Sequence, residues 1–490
     1  MQINLVVDRP KEWPLHIPGV TVVDANEYLT DARYAGMRGL RVFNLCRSYR
    51  YQSRGYYVSL LASARGHKPV PSVTTLQDMK MQNIIRMVSD ELDEDIQRSL
   101  SSIRSRTFTL SIYFGRNLAA RHEQMSLRLF NMFQAPFLRA HFTRTDKWHL
   151  QSIGPIAAKD IPSSHRPFVV RAATRYFAGR RFTARRKAPA RYSLAILHNP
   201  SASESPSNKK ALTRFERAAT SLGMDVEFIK RDDFSRLVEF DALFIRETTA
   251  VNHYTYRFSR RAAAEGLVVI DDPESILRCT NKVYLAELLI RLGIPGPRTV
   301  IVRDDNLMAL PDMLGLPCIL KQPDSAFSLG VKKVDTVEEL EREGLRLLDR
   351  SELIIAQEFL PTEFDWRIGI FDRKPLYACR YFMASKHWQI VRREQDGKVV
   401  DGHVETLPVE LAPRAAVRMA LKAANAIGDG LYGVDVKQVG RKFYVIEVND
   451  NPNIDAGFED AVLKENLYSR IMEGFLARLD RQRDNSKARS

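Results

Sequence analysis

Three side chains in the C-terminal third of the chain could do chemistry together: Asp435, Glu447 and Asn449. Asp435 sits in the strand-like run Gly433, Val434, Asp435, Val436, Lys437. Glu447 and Asn449 close a second run that starts at Phe443, after a turn at Gly440, Arg441 and Lys442. In a tight hairpin, residues i and i+2 point to one face, so the three side chains converge. Two carboxylates and an amide oxygen are hard ligands suited to Mg²⁺, which keeps waters and substrate phosphates as its other ligands.

Cations that could face phosphates occur upstream. Lys282 opens a helix whose apolar residues, Leu285, Leu288, Leu289 and Leu292, fall on one face, so Lys282 points away from that face. Gly293 and Pro295 end this helix. Lys321 ends a short strand, and a loop with Ser325, Ser328 and Gly330 follows. Backbone N–H groups and serine hydroxyls in such a loop can cradle phosphates. A further apolar strand ends in Gln357, Glu358, Phe359 and Leu360. A strand end of this kind can offer acceptors to an adenine amino group between apolar walls. Arg367 and Arg380 lie within strand-like runs and need partners there. They suit a bidentate clamp on phosphate or carboxylate, or equally two structural ion pairs.

These residues need a scaffold. From Tyr192 onward, strand-like and helical runs alternate, which predicts a small parallel α/β layer over 191–275. Arg246 ends one of its strands at a crevice typical of ligand sites and, with Asn451, is assigned to the substrate. Residues 276–480 form the chemistry-bearing domain, and 481–490 a polar tail. Residues 1–155 read as a basic α+β domain with strands at 3–7, 40–45 and 108–114. A basic linker spans 156–190, with a helix at 169–178. No internal repeat is evident. The expected fold class is thus α/β and α+β multidomain.

The 490 residues allow roughly three domains of ~150 residues. At 44% hydrophobic and 27% charged, the composition excludes wholesale disorder. No apolar run approaches the ~18 residues of a spanning helix, and Met1 to Val7 is too short for a signal core. Four distant cysteines, with no C-x-x-C pair, argue against a disulfide framework or thiolate zinc site. A cytoplasmic, soluble protein with no membrane partner is expected. The net charge of +15 is unevenly spread. Residues 1–190 carry 30 basic and 14 acidic side chains, a net of +16; the remainder is −1.

Taken together, Lys282, Lys321, the 357–360 segment, Arg380, Asp435 and Glu447-Val448-Asn449 with Pro452 resemble the ATP-grasp ligase superfamily, and within it the RimK-type amino-acid and peptide ligases. The run from Arg54 to Leu61 resembles the RimK-like ATP-grasp N-terminal domain. The resemblance implies an ATP-grasp fold, with two α+β subdomains clamping ATP behind the small parallel pre-domain. It implies that Lys282 and Lys321 hold phosphates. Glu358 and Leu360 would meet adenine, and Glu363 or Asp365 the ribose. Asp435, Glu447 and Asn449 would bind two Mg²⁺, with Mn²⁺ as a substitute, and Arg380 would steady the transferred phosphate. Two positions depart from the relatives' pattern: the phosphate loop has one glycine, and Asn453 follows Pro452 where many relatives carry glycine.

The expected reaction is ATP-dependent joining of a carboxylate to an amine through an acylphosphate. The substrate is an amino acid such as glutamate, a peptide or a protein terminus. No protein nucleophile is needed. A homo-oligomer is expected, as is an acidic partner for the basic N-terminal domain. Two other readings compete: a nucleic-acid- or ribosome-associated protein using the basic half, for which no RNA-binding signature is visible, and a catalytically idle scaffold.

Overall fold

The computed structural model describes residues 3–37, 40–178, 190–202, 205–324, 330–384, 391–393 and 399–488. Ser325, Ser328 and residues 179–189 of the basic linker lie outside them. The chain groups into two compact units, Met1–Arg191 with Phe234–Glu239, and Tyr192–Asp233 with Phe240–Ser490.

The first unit contains two sheets. Strands β1 (Ile3–Val7), β2 (Thr21–Asp24), β3 (Arg41–Asn44) and β4 (Lys68–Val70) form a parallel sheet in the order β2-β1-β3-β4. Strands β5 (Thr107–Tyr113), β6 (Phe137–Arg144) and β7 (Trp148–Pro155) form an antiparallel one in that order. Alternation in β5 sends Leu110 and Ile112 to a core shared with Phe142, Trp148 and the helices before it. The helix Arg166–Ala178 buries Val169, Ala172, Ala173 and Phe177 against Ile3, Leu5 and Phe43 of the parallel sheet.

The second unit opens with the predicted α/β layer. Strands β8 (Tyr192–Leu197), β9 (Met224–Ile229), β10 (Ala242–Ile245) and β11 (Val268–Ile270) are parallel, in the order β9-β8-β10-β11. The helix Lys209–Ser221 is capped by Asn208, whose side chain accepts from the Ala211 N–H. It buries Ala211, Leu212, Phe215, Ala218 and Ala219, a single helical face. The C-terminal helix Glu465–Ala488 packs Leu467, Ile471 and Phe475 in the same core, and runs through residues 481–488.

Two antiparallel sheets follow. Strands β12 (Thr299–Val302), β13 (Cys318–Lys321), β14 (Val331–Val334) and β15 (Ile354–Glu358) make the first, in the order β12-β15-β13-β14. Their core includes Leu320, Ala356, and Leu340 and Leu347 of the helix Val337–Leu348. The larger sheet uses β16 (Phe364–Phe371), β17 (Lys374–Phe382), β20 (Val404–Leu407), β21 (Leu431–Val439) and β22 (Lys442–Asp450), in the order β20-β17-β16-β21-β22. A separate hairpin of β18 (Val391–Arg393) and β19 (Val399–Asp401) completes the strands. One face of the larger sheet packs on the helix Arg414–Ile427 through Trp366, Ile368, Val434 and Val436. On the opposite face Tyr377, Cys379 and Tyr381 join the core shared with the C-terminal helix.

Candidate functional site

Register places the site. Arg367 on β16 lies opposite Asp435 on β21, and Asp435 opposite Glu447 on β22. Cross-strand partners share a face. Period-two alternation puts Asp365 and Lys437 on that face, as well as Asn449. The predicted convergence of Asp435, Glu447 and Asn449 is present.

Charges on this face are paired. Arg367 donates to both Asp435 oxygens, Nε to Oδ1 at 2.7 Å and Nη2 to Oδ2 at 2.8 Å. Lys282 Nζ lies 3.1 Å from Glu447 Oε1. Lys437 Nζ donates to Asp365 Oδ1 at 2.7 Å and to Thr362 Oγ1 at 2.7 Å. Asn449 Nδ2 donates to Asp435 Oδ2 at 3.1 Å. Burial raises the Glu447 carboxyl, but Lys282 and Lys321 outweigh it and hold it below its ordinary value. For Asp435 burial prevails over Arg367, and its carboxyl is pushed up. Burial beside Lys282 and Lys437 pushes Lys321 down to about 8, against the pull of Glu447 and Asp365.

Local structure fixes Lys282. The Asn281 side chain accepts from the Tyr284 N–H and caps the helix Lys282–Arg291. The Lys282 N–H donates to Pro323 O at 3.0 Å, which ties the helix start to the segment after β13. Gly433 lies against this face as well. A Cβ there would sit 2.8 Å from Pro452 Cβ, closer than packing allows.

A cavity of about 490 Å³ runs along these residues. At one end it is lined by Ile319, Lys321, Val331, Gln357, Phe359 and Leu360, an apolar slot bordered by β13 and β15. At the other end lie Thr248, Thr249, Asp450, Asn453 and Tyr381. Thr249 Oγ1 donates to Asp450 Oδ2 at 2.7 Å, and burial pushes the Asp450 carboxyl up.

Several assigned residues are placed otherwise. Arg380 lies opposite Trp366, so it shares the helix-covered face. It pairs with Glu405 at 2.6 Å, and its guanidinium lies 5.3 Å from the Phe364 ring centroid. Cys379 and Tyr381 hold the cleft-facing positions of β17 instead. Arg246 is fully buried. It donates to Ser207 Oγ at 3.0 Å, Asn451 Oδ1 at 2.7 Å, Pro452 O at 2.9 Å and Pro206 O. Burial pushes it down to about 10. Its donors, and the Asn451 amide, which also donates to Glu247 O, are occupied within the protein rather than offered to a substrate.

The residues assigned to adenine and ribose also have partners within the protein. The Glu358 carboxylate accepts from the Arg298 N–H and Nε, both at 2.8 Å, and Glu358 lines the slot beside Gln357, Phe359 and Leu360. Gln357 Nε2 donates to Thr299 Oγ1 at 3.0 Å. Glu363 is exposed, and Asp365 is held by Lys437 and Thr362. Gly330 is left-handed at φ 76°, and its carbonyl accepts from the Gln322 N–H at 3.1 Å. Lys437 and Tyr381 were missed. Lys437 was legible as the i+2 neighbour of Asp435, whereas Tyr381 has no signal beyond strand parity.

Among the described residues, no group of three or more His, Cys, Asp or Glu gathers around one point. The candidate cation set is two carboxylates with an amide as third donor. Its chemistry fits a hard dication.

The comparisons with known proteins cover both units. Residues 25–172 match the family model of the RimK-like ATPgrasp N-terminal domain. The chain is 25% identical over 283 residues to the probable alpha-L-glutamate ligase 2 of Pseudoalteromonas atlantica, covering 54% of this chain and 91% of that protein. It is 27% identical over 231 residues to the probable alpha-L-glutamate ligase of Aliivibrio fischeri, covering 47% and 74%. Among solved structures, it is similar to the D-alanine–D-alanine ligase from Bacillus anthracis at TM-score 0.46 and 17% identity, covering 60% of this chain and 99% of that one. No described helix is long and apolar enough to cross a membrane.

Proposed function

We propose that this chain, an ATP-grasp protein with a RimK-like N-terminal domain, is an ATP- and Mg²⁺-dependent ligase that joins a carboxylate to an amine. The observation that carries this reading is the row Lys282–Glu447–Asp435–Arg367 on one sheet face, between an apolar slot and a polar pocket. Slot, charged row and pocket suit adenine, triphosphate and substrates in turn.

Asp435, Glu447 and Asn449 would hold Mg²⁺, which neutralises phosphate charge when bound. Two ions, or Mn²⁺ in their place, belong to the same reading. A substrate carboxylate attacks the γ-phosphorus, and the bond to the β,γ-bridging oxygen breaks to release ADP. An amine then attacks the acylphosphate carbonyl; phosphate leaves and an amide remains. Lys282 and Lys321 hold phosphate oxygens. Arg367 is anchored by Asp435 and stacked 4.7 Å from the Tyr381 ring centroid, so it takes the position at the transferred group first given to Arg380. These are positioning and electrostatic roles, and the protein forms no covalent bond. The relatives' names support glutamate as one of the joined molecules, with an amino acid, peptide or protein terminus as the other.

The test is ADP release over a panel of amino acids and dipeptides, with mass spectrometry of the product. An adduct heavier by one amino acid less water supports the proposal. ADP release independent of any acceptor would overturn it. On this reading Arg380→Gln leaves kcat within about threefold, because it acts on the helix-covered face. A loss on the order of 10²-fold, typical of removing a transition-state donor, would return Arg380 to the reaction.

Lys321 sets a pH limit. It holds phosphate while protonated and loses its proton as pH rises through about 8. The kcat/KM for ATP, which reports the free enzyme, should therefore fall above that pH. Lys321→Arg should retain activity and move the limb to higher pH, since arginine stays charged. An unmoved limb would assign the titration to another group.

A further inference from the structure

The first unit repeats the frame of the second, although no repeat was evident in the sequence. The two parallel sheets share one strand order, β2-β1-β3-β4 and β9-β8-β10-β11. The helix Arg54–Ala64 recurs 200 residues later as Tyr254–Ala264, β4 as β11, and the helix Gln82–Glu91 as Lys282–Arg291. Ser59 Oγ donates to Pro71 O at 2.7 Å, and Ser259 Oγ to Asp271 O at 2.6 Å. Gly66 and Gly266 both turn left-handed after their helices.

The antiparallel sheets repeat as well. Strands β5, β6 and β7 pair as β16, β21 and β22 do, each hairpin preceded by a helix, Glu123–Met132 and Arg414–Ile427. Each hairpin carries one register shift, after His141 in β6 and after Asp435 in β21. A bulge re-aims side chains and fixes register, so it is a strong marker of equivalence. Aligned on it, His141 takes the place of Asp435, and Ser152 that of Glu447. Thr109 takes the place of Arg367, and Thr107 that of Asp365. The 200-residue offset puts Gln82 where Lys282 stands.

Those five residues, with Gln151, line one cavity of about 470 Å³ in the first unit. At the equivalent positions the first unit has Gln, Thr, His and Ser where the second has Lys, Asp, Arg and Glu. Between the helix Gln82–Glu91 and β5, no described strand corresponds to the β12–β15 sheet. Without paired carboxylates, phosphate lysines and that sheet, Mg²⁺-nucleotide has nothing to hold it. Hydroxyls, amide N–H groups and an imidazole remain, with no carboxylate in the lining. They suit an anion, in a segment that carries +16 over residues 1–190.

We propose that the first unit is a second copy of the catalytic frame that has lost nucleotide binding, and that its cavity at Thr107, Thr109, His141 and Ser152 binds a small carboxylate- or phosphate-bearing molecule. The proposal rests on the reading of the second unit as the nucleotide site. Calorimetry on the full chain tests it, with Mg²⁺·ADP, inorganic phosphate and glutamate as separate probes. Wild type should bind one ADP per chain; Glu447→Ala should lose it, whereas Ser152→Glu and Gln151→Glu should keep it. Phosphate or glutamate should bind to Glu447→Ala, and Ser152→Glu or Gln151→Glu should weaken that binding at least tenfold; the responding probe identifies the ligand chemistry. Two ADP per chain, or anion binding indifferent to both first-unit variants, would overturn the proposal. Failure of ADP to bind at all, with the anion result intact, would count against the ligase reading alone.

Discussion

Glu447→Ala is expected to lower substrate-dependent ADP release by at least about 10³-fold, the upper range for deleting one preorganised charge-stabilising group, while the protein stays folded. The carboxylate stands midway along the charged row, in register with Asp435 and 3.1 Å from Lys282. It is held ionised by two lysines, and its removal deletes half of the carboxylate pair available to a cation. Its side chain is 30% exposed, so truncation leaves Lys282 partly solvated, and the fold cost is small. Circular dichroism and melting temperature should match wild type. A variant that releases ADP at the wild-type rate with its true substrates would show that the metal assignment is wrong.

Arg246→Ala should act in the opposite way, on the fold. The side chain is wholly buried and bonds to groups from two stretches of chain, at Pro206 and Ser207 and at Asn451 and Pro452. Truncation strands those acceptors in the interior, and removes the cation facing the buried Asp271 and the half-buried Asp455. Breaking a buried charged network costs about 3–5 kcal/mol. A marked drop in melting temperature and loss of soluble protein are expected. Should stability hold while KM for one substrate rises, Arg246 would be a substrate ligand after all.

Arg246 and Arg380 show where sequence reading stops. A charge in an apolar strand signals that a partner exists. It does not say whether that partner is a ligand or the protein. The ring of acceptors around Arg246 comes from residues about 40 and 205 positions away, beyond any local pattern. The face of Arg380 was not legible, because it depends on pairing with Trp366, which alternation along β17 alone cannot supply. The shared face of Asp435, Glu447 and Asn449 was legible because the hairpin and the spacing are local. The alternating α/β layer was legible for the same reason. The repeated frame was hidden because few side chains are retained, and strand order, register and turns reveal it.

The Arg246 clamp also bears on movement. It fastens the chain just beyond Asp450, at the exit of β22, to the parallel sheet. The strands that carry Asp435 and Glu447 therefore cannot swing independently of that layer. The β12–β15 sheet is bonded within itself and meets the rest of its unit at the chain crossings beside Pro297 and Leu360 and at the bond from the Lys282 N–H to Pro323 O. On the proposed ligase reading, the carboxylates sit on strands fastened to the parallel sheet, and gating of the slot falls to the sheet that carries Lys321.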